Sequence, residues 1–211
     1  VDKLRLKFSK TGRAVYISHL DLMRTMQRAF FRAELPLKYS EGFNPHPLIS
    51  IALPLPVGTA SLCELMDFRL AGEAELSEIP ARLNAVMPEG IEALEVYCAE
   101  RKFGEIKWLR VKGEFEYDGH RRRELERFFA AESIVVPKRT KKGISEIDIK
   151  PAIRSLSFND SGLEAVVSVQ EPSLNPELLV QAIERLAPEL APDFVSFTRL
   201  EVYDENMEIF R

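Results

Sequence analysis

The segment Ala14–Pro56, AVYISHLDLMRTMQRAFFRAELPLKYSEGFNPHPLISIALPLP, opens as a capped amphipathic helix and closes as a proline-locked loop. Ser18-His19-Leu20-Asp21 has the Ser-x-x-acid spacing of a capping box, which sets the Ser18 hydroxyl to accept an orphan backbone N–H. Asp21 falls in the first turn, where the helix dipole favours a negative charge. Leu22, Met23, Met26, Ala29, Phe30 and Ala33 then recur at helical spacing on one face. The helix is expected to stop near Glu34-Leu35-Pro36, because the residue before a proline avoids the α region.

Working outward, Lys3 to Ser9 alternates like a strand, and Leu37 to Ser40 is a candidate extra strand. Leu48 to Leu53 and Cys63 to Leu70 read as strands, separated by the turn residues Pro54, Pro56 and Gly58. Glu78 to Val86 reads as a second helix, with Ser77 as its cap and Pro80 in the first turn, where a missing N–H is harmless. Ile91 to Tyr97 closes the unit. The order is β-α-β-β-α-β, that of a ferredoxin-like domain.

The second half repeats the order. Trp108 to Tyr117 alternates as a strand, and His120 to Ala131 reads as a charged helix with Leu125, Phe128 and Phe129 facing inward. Ile134 to Val136 is a short strand in the place of Leu37 to Ser40. Ile153 to Phe158 and Leu163 to Val169 form a hairpin through Asn159-Asp160-Ser161-Gly162. Asn175 caps a helix that has Pro176 at its first position, and Phe194 to Tyr203 closes the unit. The fold class expected is α+β, with two tandem ferredoxin-like domains over residues 1–102 and 106–211. The connection from Pro137 to Ala152 is long for a compact domain, which marks it as functional or mobile.

Charge carries the same period. Residues 1–50 hold nine Lys/Arg against four Asp/Glu, and residues 51–100 hold two against nine. Residues 101–150 hold fourteen against nine, and the remainder four against eleven. Two basic quarters thus alternate with two acidic ones, as a duplication produces. The 211 residues are 45% hydrophobic, enough to bury one large core or two small ones. No apolar run approaches the ~20 residues of a membrane span, and no signal segment opens the chain, so a cytoplasmic protein without membrane contact is expected. Cys63 and Cys98 are too few for an all-cysteine metal or iron–sulfur site and are read as half-buried thiols. No resident metal or cofactor is expected.

The candidate binding residues are mostly basic. Arg24, Arg28 and Arg32, four apart, share the polar side of the first helix with a single acid, Asp21. They are either a solvated face or a site for a polyanion or acidic partner. Lys10 and Lys38 flank that helix in sequence. Pro45 and Pro47 stiffen the loop around His46, which is either a structural histidine or a preorganised donor for a phosphate or a base edge. Lys138, Arg139, Lys141 and Lys142 form the densest basic run, on the long connection. His120 precedes three arginines and reads as an exposed helix-start residue. None of the phosphate-loop, dinucleotide, nucleophile-elbow or zinc-protease motifs is present.

The runs LRLKFSKTGRAVYISHLDLMRTMQRA (4–29) and LPLKYSEGFNPHPLISIALPLPVG (35–58) resemble the radical SAM-linked protein family, through YISHLD and YSEGFNPHP above all. The resemblance is dense to about residue 70 and collinear to the end. It departs at Phe31 and Leu48, where basic residues are commoner in the family pattern. It implies a domain fused to, or encoded beside, a radical SAM protein, with any cluster held by that partner in trans. The function expected is an accessory RNA-binding module, with tRNA as a candidate ligand, that works with the radical SAM enzyme. Two alternatives stand beside it. One is a metal-free endoribonuclease of the RAMP type, with His19 or His46 as general acid or base and Lys10 or Arg24 steadying a phosphate. The other is a protein-binding adaptor for the partner enzyme.

Overall fold

A computed structural model of the chain describes residues 3–116, 119, 121–140 and 143–211, the side chains of residues 138–140 excepted. The chain divides into two compact units, residues 1–105 with Arg211 and residues 106–210. The fold is α+β, with four α-helices and ten strands among the described residues. No helix among them is long and apolar enough to cross a membrane.

In the first unit the elements run β1 (Leu4–Lys10), α1 (His19–Arg32), β2 (Ile49–Ile51), β3 (Ala60–Phe68), α2 (Ile79–Asn84) and β4 (Ile91–Cys98). The strands lie in the order β4-β1-β3-β2, each pair antiparallel. Leu4, Leu6 and Phe8 of β1, Met66 and Phe68 of β3, and Ile91 and Ala93 of β4 form one apolar face. Both helices cover it, α1 through Leu22, Met26, Ala29 and Phe30 and α2 through Ile79 and Leu83. The Phe30 and Phe68 rings lie 4.9 Å apart, tilted by 59°. Met23, expected in that core, is only half-buried.

Both ends of α1 follow from local chemistry. Ser18 Oγ accepts the Asp21 N–H at 3.2 Å and donates to the Asp21 carboxylate at 2.8 Å. At the other end the Leu35 N–H reaches the Phe30 carbonyl and the Glu34 N–H reaches that of Phe31, a Schellman closure. That closure places Glu34 in the left-handed region at φ 56°, where a side chain is strained. Glu34→Gly is therefore expected to stabilise the first unit by about 0.5–1 kcal/mol, read as a higher urea midpoint at unchanged slope.

The helix ends are also clasped reciprocally. Arg32 of α1 donates to the Val86 carbonyl just beyond α2, at 2.8 Å. Arg82 of α2 donates to the carbonyls of Ala33 and Glu34 just beyond α1, at 2.7 and 3.0 Å. Each arginine satisfies carbonyls that the other helix leaves without an intrahelical partner. The second helix is shorter than expected, and Ser77 does not cap it. Its N-cap position is Glu78, with no side-chain cap.

The second unit runs β5 (Trp108–Glu116), α3 (Arg122–Phe129), β6 (Val135–Thr140), β7 (Gly143–Asp148), β8 (Ile153–Asn159), β9 (Gly162–Ser168), α4 (Glu177–Leu186) and β10 (Phe194–Tyr203). Its main sheet has the order β10-β5-β9-β8, again antiparallel throughout. By position this is the arrangement of the first unit. Leu109, Val111, Leu163, Ala165 and Val167 are buried in its strands, as are Leu125 and Phe129 of α3 and Leu179, Ala182 and Ile183 of α4. Phe129 stacks 5.4 Å from Phe158 of β8, which sets α3 on the sheet.

The Pro137–Ala152 connection is corrected. It is largely a regular hairpin, with β6 and β7 paired from Val135↔Asp148 to Thr140↔Gly143. Asp148 closes its base by accepting the N–H groups of Ile134 and Lys150 at 2.9 and 3.1 Å. The Ile134 hydrogen bond in particular holds the Asp148 carboxyl below the usual range. The second strand escaped notice because Gly143 to Glu146 of β7 are exposed on both faces, which leaves no apolar alternation to read. Pro137 is tolerated because the two-stranded hairpin consists of edge strands.

Candidate functional site

Between α1 and β2 the chain does not wander. Residues 38–48 fold into a small hairpin, in the same place in the element order as β6–β7 in the second unit. Leu37 bridges Leu70, and the Lys38 N–H reaches the Arg69 carbonyl at 2.7 Å, which roots the hairpin on the end of β3. Tyr39 bridges Pro47, the Ser40 N–H reaches the His46 carbonyl at 2.8 Å, and the Leu48 N–H reaches that of Lys38 at 2.8 Å. The expected strand Leu37–Ser40 is thus one arm of this hairpin, reduced to isolated bridges. Gly42 turns the tip at φ 120°, a conformation closed to most side chains.

Ser40 holds His46 twice. Its hydroxyl accepts the His46 backbone N–H at 3.1 Å and lies 2.9 Å from Nδ1. The hydroxyl donates to Nδ1 or accepts from it according to the imidazole tautomer, and in either case it holds the ring. The ring is exposed, with Nδ1 held by Ser40. The partner is a side-chain hydroxyl rather than a backbone carbonyl.

An open groove of about 420 Å³ runs beside it, lined by His46, Leu48, Ile49, Lys3, Asp67 and Arg69 among others. Its cations are Lys3 and Arg69 against one carboxylate, Asp67. That carboxylate is already engaged by Lys3 at 2.8 Å and by buried Arg5 at 2.6 Å. The lining is therefore net positive. Nothing in the local sequence marked Lys3 or Arg69 as site residues. The only signal was the position of Arg69 just past a strand, where it is exposed.

The expected residues separate into groups. Lys38, exposed, and His46 lie on one hairpin and so come together. Arg24 and Arg28 stand exposed on the outer side of α1. Arg24 pairs with Asp21 at 3.2 Å, and the Ser18 hydroxyl and then Arg24 hold the Asp21 carboxyl below its usual range. Among the described residues nothing pairs with Arg28. Arg32 is exposed, and one of its guanidinium nitrogens donates to the Val86 carbonyl. Lys10 is corrected. It is 1% exposed and its ammonium donates to the carbonyls of Val15 and Ile17, a structural role.

His19 is exposed at the start of α1 and does not line the groove that holds His46, so the two histidines are not joined there. Lys138 and Arg139 belong to β6, whereas His120, Lys141 and Lys142 lie outside the described residues. The thiols are not half-buried: Cys63 is buried and Cys98 exposed. Among the described residues no three His, Cys, Asp or Glu side chains group to hold a metal ion.

The family described as "Uncharacterized protein conserved in bacteria (DUF2344)" matches residues 3–182 of the chain. A search of curated proteins returned no match.

Proposed function

The chain belongs to the DUF2344 family of conserved bacterial proteins, and we propose that it serves as an accessory RNA-binding module beside a radical SAM enzyme supplied in trans. One observation carries the RNA reading. The 38–48 hairpin, which carries exposed Lys38, sets His46 on a net-positive groove that Arg69 also lines, with the imidazole held by Ser40. Donors fixed before binding lose little freedom on meeting phosphate oxygens, and backbone phosphates supply most of the affinity of such surfaces. Arg28 extends the positive character onto α1.

We read each unit as a ferredoxin-like domain. The support is the β-α-β-β-α-β order in the first unit and the same order with an inserted hairpin in the second, together with the two equivalent antiparallel sheets. The hairpin of each unit then falls at the same point of the repeat, and the second carries Lys138 and Arg139. The link to a radical SAM partner rests on YISHLD and YSEGFNPHP alone. Its test is co-purification of the two proteins from cells that express both.

The RNA reading is tested by titrating labelled tRNA with the full chain in the absence of metal, at several salt concentrations. Binding without cleavage is expected, with log affinity falling linearly against log salt. Each lost phosphate contact flattens that line by roughly 0.7 for a single strand. The variant Arg28→Ala/Lys38→Ala/Arg69→Ala should therefore bind more weakly and lower the slope by roughly 2. Cleavage would favour the endoribonuclease. No binding at low salt would leave the adaptor role.

A further inference from the structure

Phe43 has no role in the fold. It sits at the tip of the 38–48 hairpin with 105% relative exposure, more open than any other large apolar side chain described. Tyr39 on the same hairpin is half exposed. An aromatic ring in water is unfavourable to keep, and a floppy tip would let it fold back. This tip is rooted instead: two backbone hydrogen bonds join the arms, a third ties Lys38 to the Arg69 carbonyl, Ser40 clamps His46, and Pro45 and Pro47 restrict the return arm. A fully presented aromatic at the tip of a rooted hairpin that carries Lys38 and His46, with Arg69 at its root, is the pairing that single-stranded nucleic acid uses. Cations track its backbone while an aromatic face takes an unstacked base. A duplex buries its base faces in its own stack and offers none to Phe43.

We propose that Phe43 is a base-stacking residue, and that the RNA held by this surface is single-stranded. The inference rests on the RNA-binding reading above and adds to it the class of ligand and the residue that selects it. Stacking is insensitive to salt, whereas phosphate contacts are not. The two ideas therefore separate in one experiment.

Fluorescence anisotropy of the full chain with a labelled oligouridine 12-mer, and with the same strand annealed to oligoadenosine, is measured at four potassium chloride concentrations. The parent should prefer the single strand. Phe43→Ala should weaken that binding by about 5- to 150-fold at every salt concentration, with the salt slope unchanged. Phe43→Trp should restore binding, and the new indole should be quenched by RNA in excess of any change at Trp108. Because Phe43 packs on nothing, its loss leaves the fold intact. Equal affinity of Phe43→Ala and parent for the single strand would overturn the stacking role while leaving RNA binding in place. Equal affinity of the parent for duplex and single strand would overturn it too. Absence of binding to either RNA at the lowest salt would remove both readings.

Discussion

Asp67→Ala should cost the first unit about 3–5 kcal/mol, most of the stability of a small domain. Arg5 is fully buried and Asp67 nearly so. The guanidinium meets the carboxylate with two hydrogen bonds, Nε to Oδ1 at 2.6 Å and a second to Oδ2 at 3.1 Å. It also donates to the Arg101 carbonyl at 2.7 Å and lies over the Phe103 ring at 4.4 Å. Without the carboxylate, a cation stays in a place from which it cannot reach water. Lys3, which contacts the same carboxylate, is one-third exposed, so Lys3→Ala should cost no more than about 1 kcal/mol. The double replacement Arg5→Met/Asp67→Leu should recover much of the loss, because it removes both charges together. Urea unfolding of the four proteins checks this. A cost below about 1 kcal/mol for Asp67→Ala would show that water reaches Arg5.

Gly162→Ala should be comparably damaging to the second unit, at about 3–5 kcal/mol. Gly162 opens β9 at φ 147° and pairs with both Asn159 and Glu114. A Cβ there would come within 1.9 Å of the Gly113 carbonyl oxygen. That oxygen belongs to the neighbouring strand's backbone, so no side-chain rotation relieves the clash. Strain in a region that L residues rarely adopt and forced separation of β5 from β9 each contribute on the order of 1–3 kcal/mol. Hydrogen exchange should register the damage first in β8 and β9. Wild-type protection of those strands in the variant would show that the hairpin shifts register at little cost.

The legible parts of this fold are those whose signal is local. Ser18 and Asp21 announce the start of α1 three residues apart, and the structure has that hydrogen bond. The closing strand expected over Phe194 to Tyr203 is β10, with the same ends. Strand and helix periods survive in sequence because one face of each element is buried and the other is not. Where both faces are wet, as over Gly143 to Glu146 of β7, the period disappears and only turn residues and charge remain to be read. A hairpin then looks like a loop.

Sequence by itself determined the α+β class and the element order of the first half, and in the second half all but β7. It also singled out the Ser40–Pro47 segment, because glycine and proline constrain the backbone wherever they stand. Tertiary structure alone decided which cations are available. Lys10, Arg32 and Arg28 look alike as letters. Folding buries the first against the Val15 and Ile17 carbonyls, engages the second with Val86 and leaves the third in water. It likewise brought Arg69 beside Lys38 and His46, and Asp67 under Lys3. Arg32 meets a carbonyl 54 positions away, and Lys3 a carboxylate 64 positions away. An ionic side chain reaches only a few ångströms, so its partner is set by the chain crossing rather than by its neighbours in sequence.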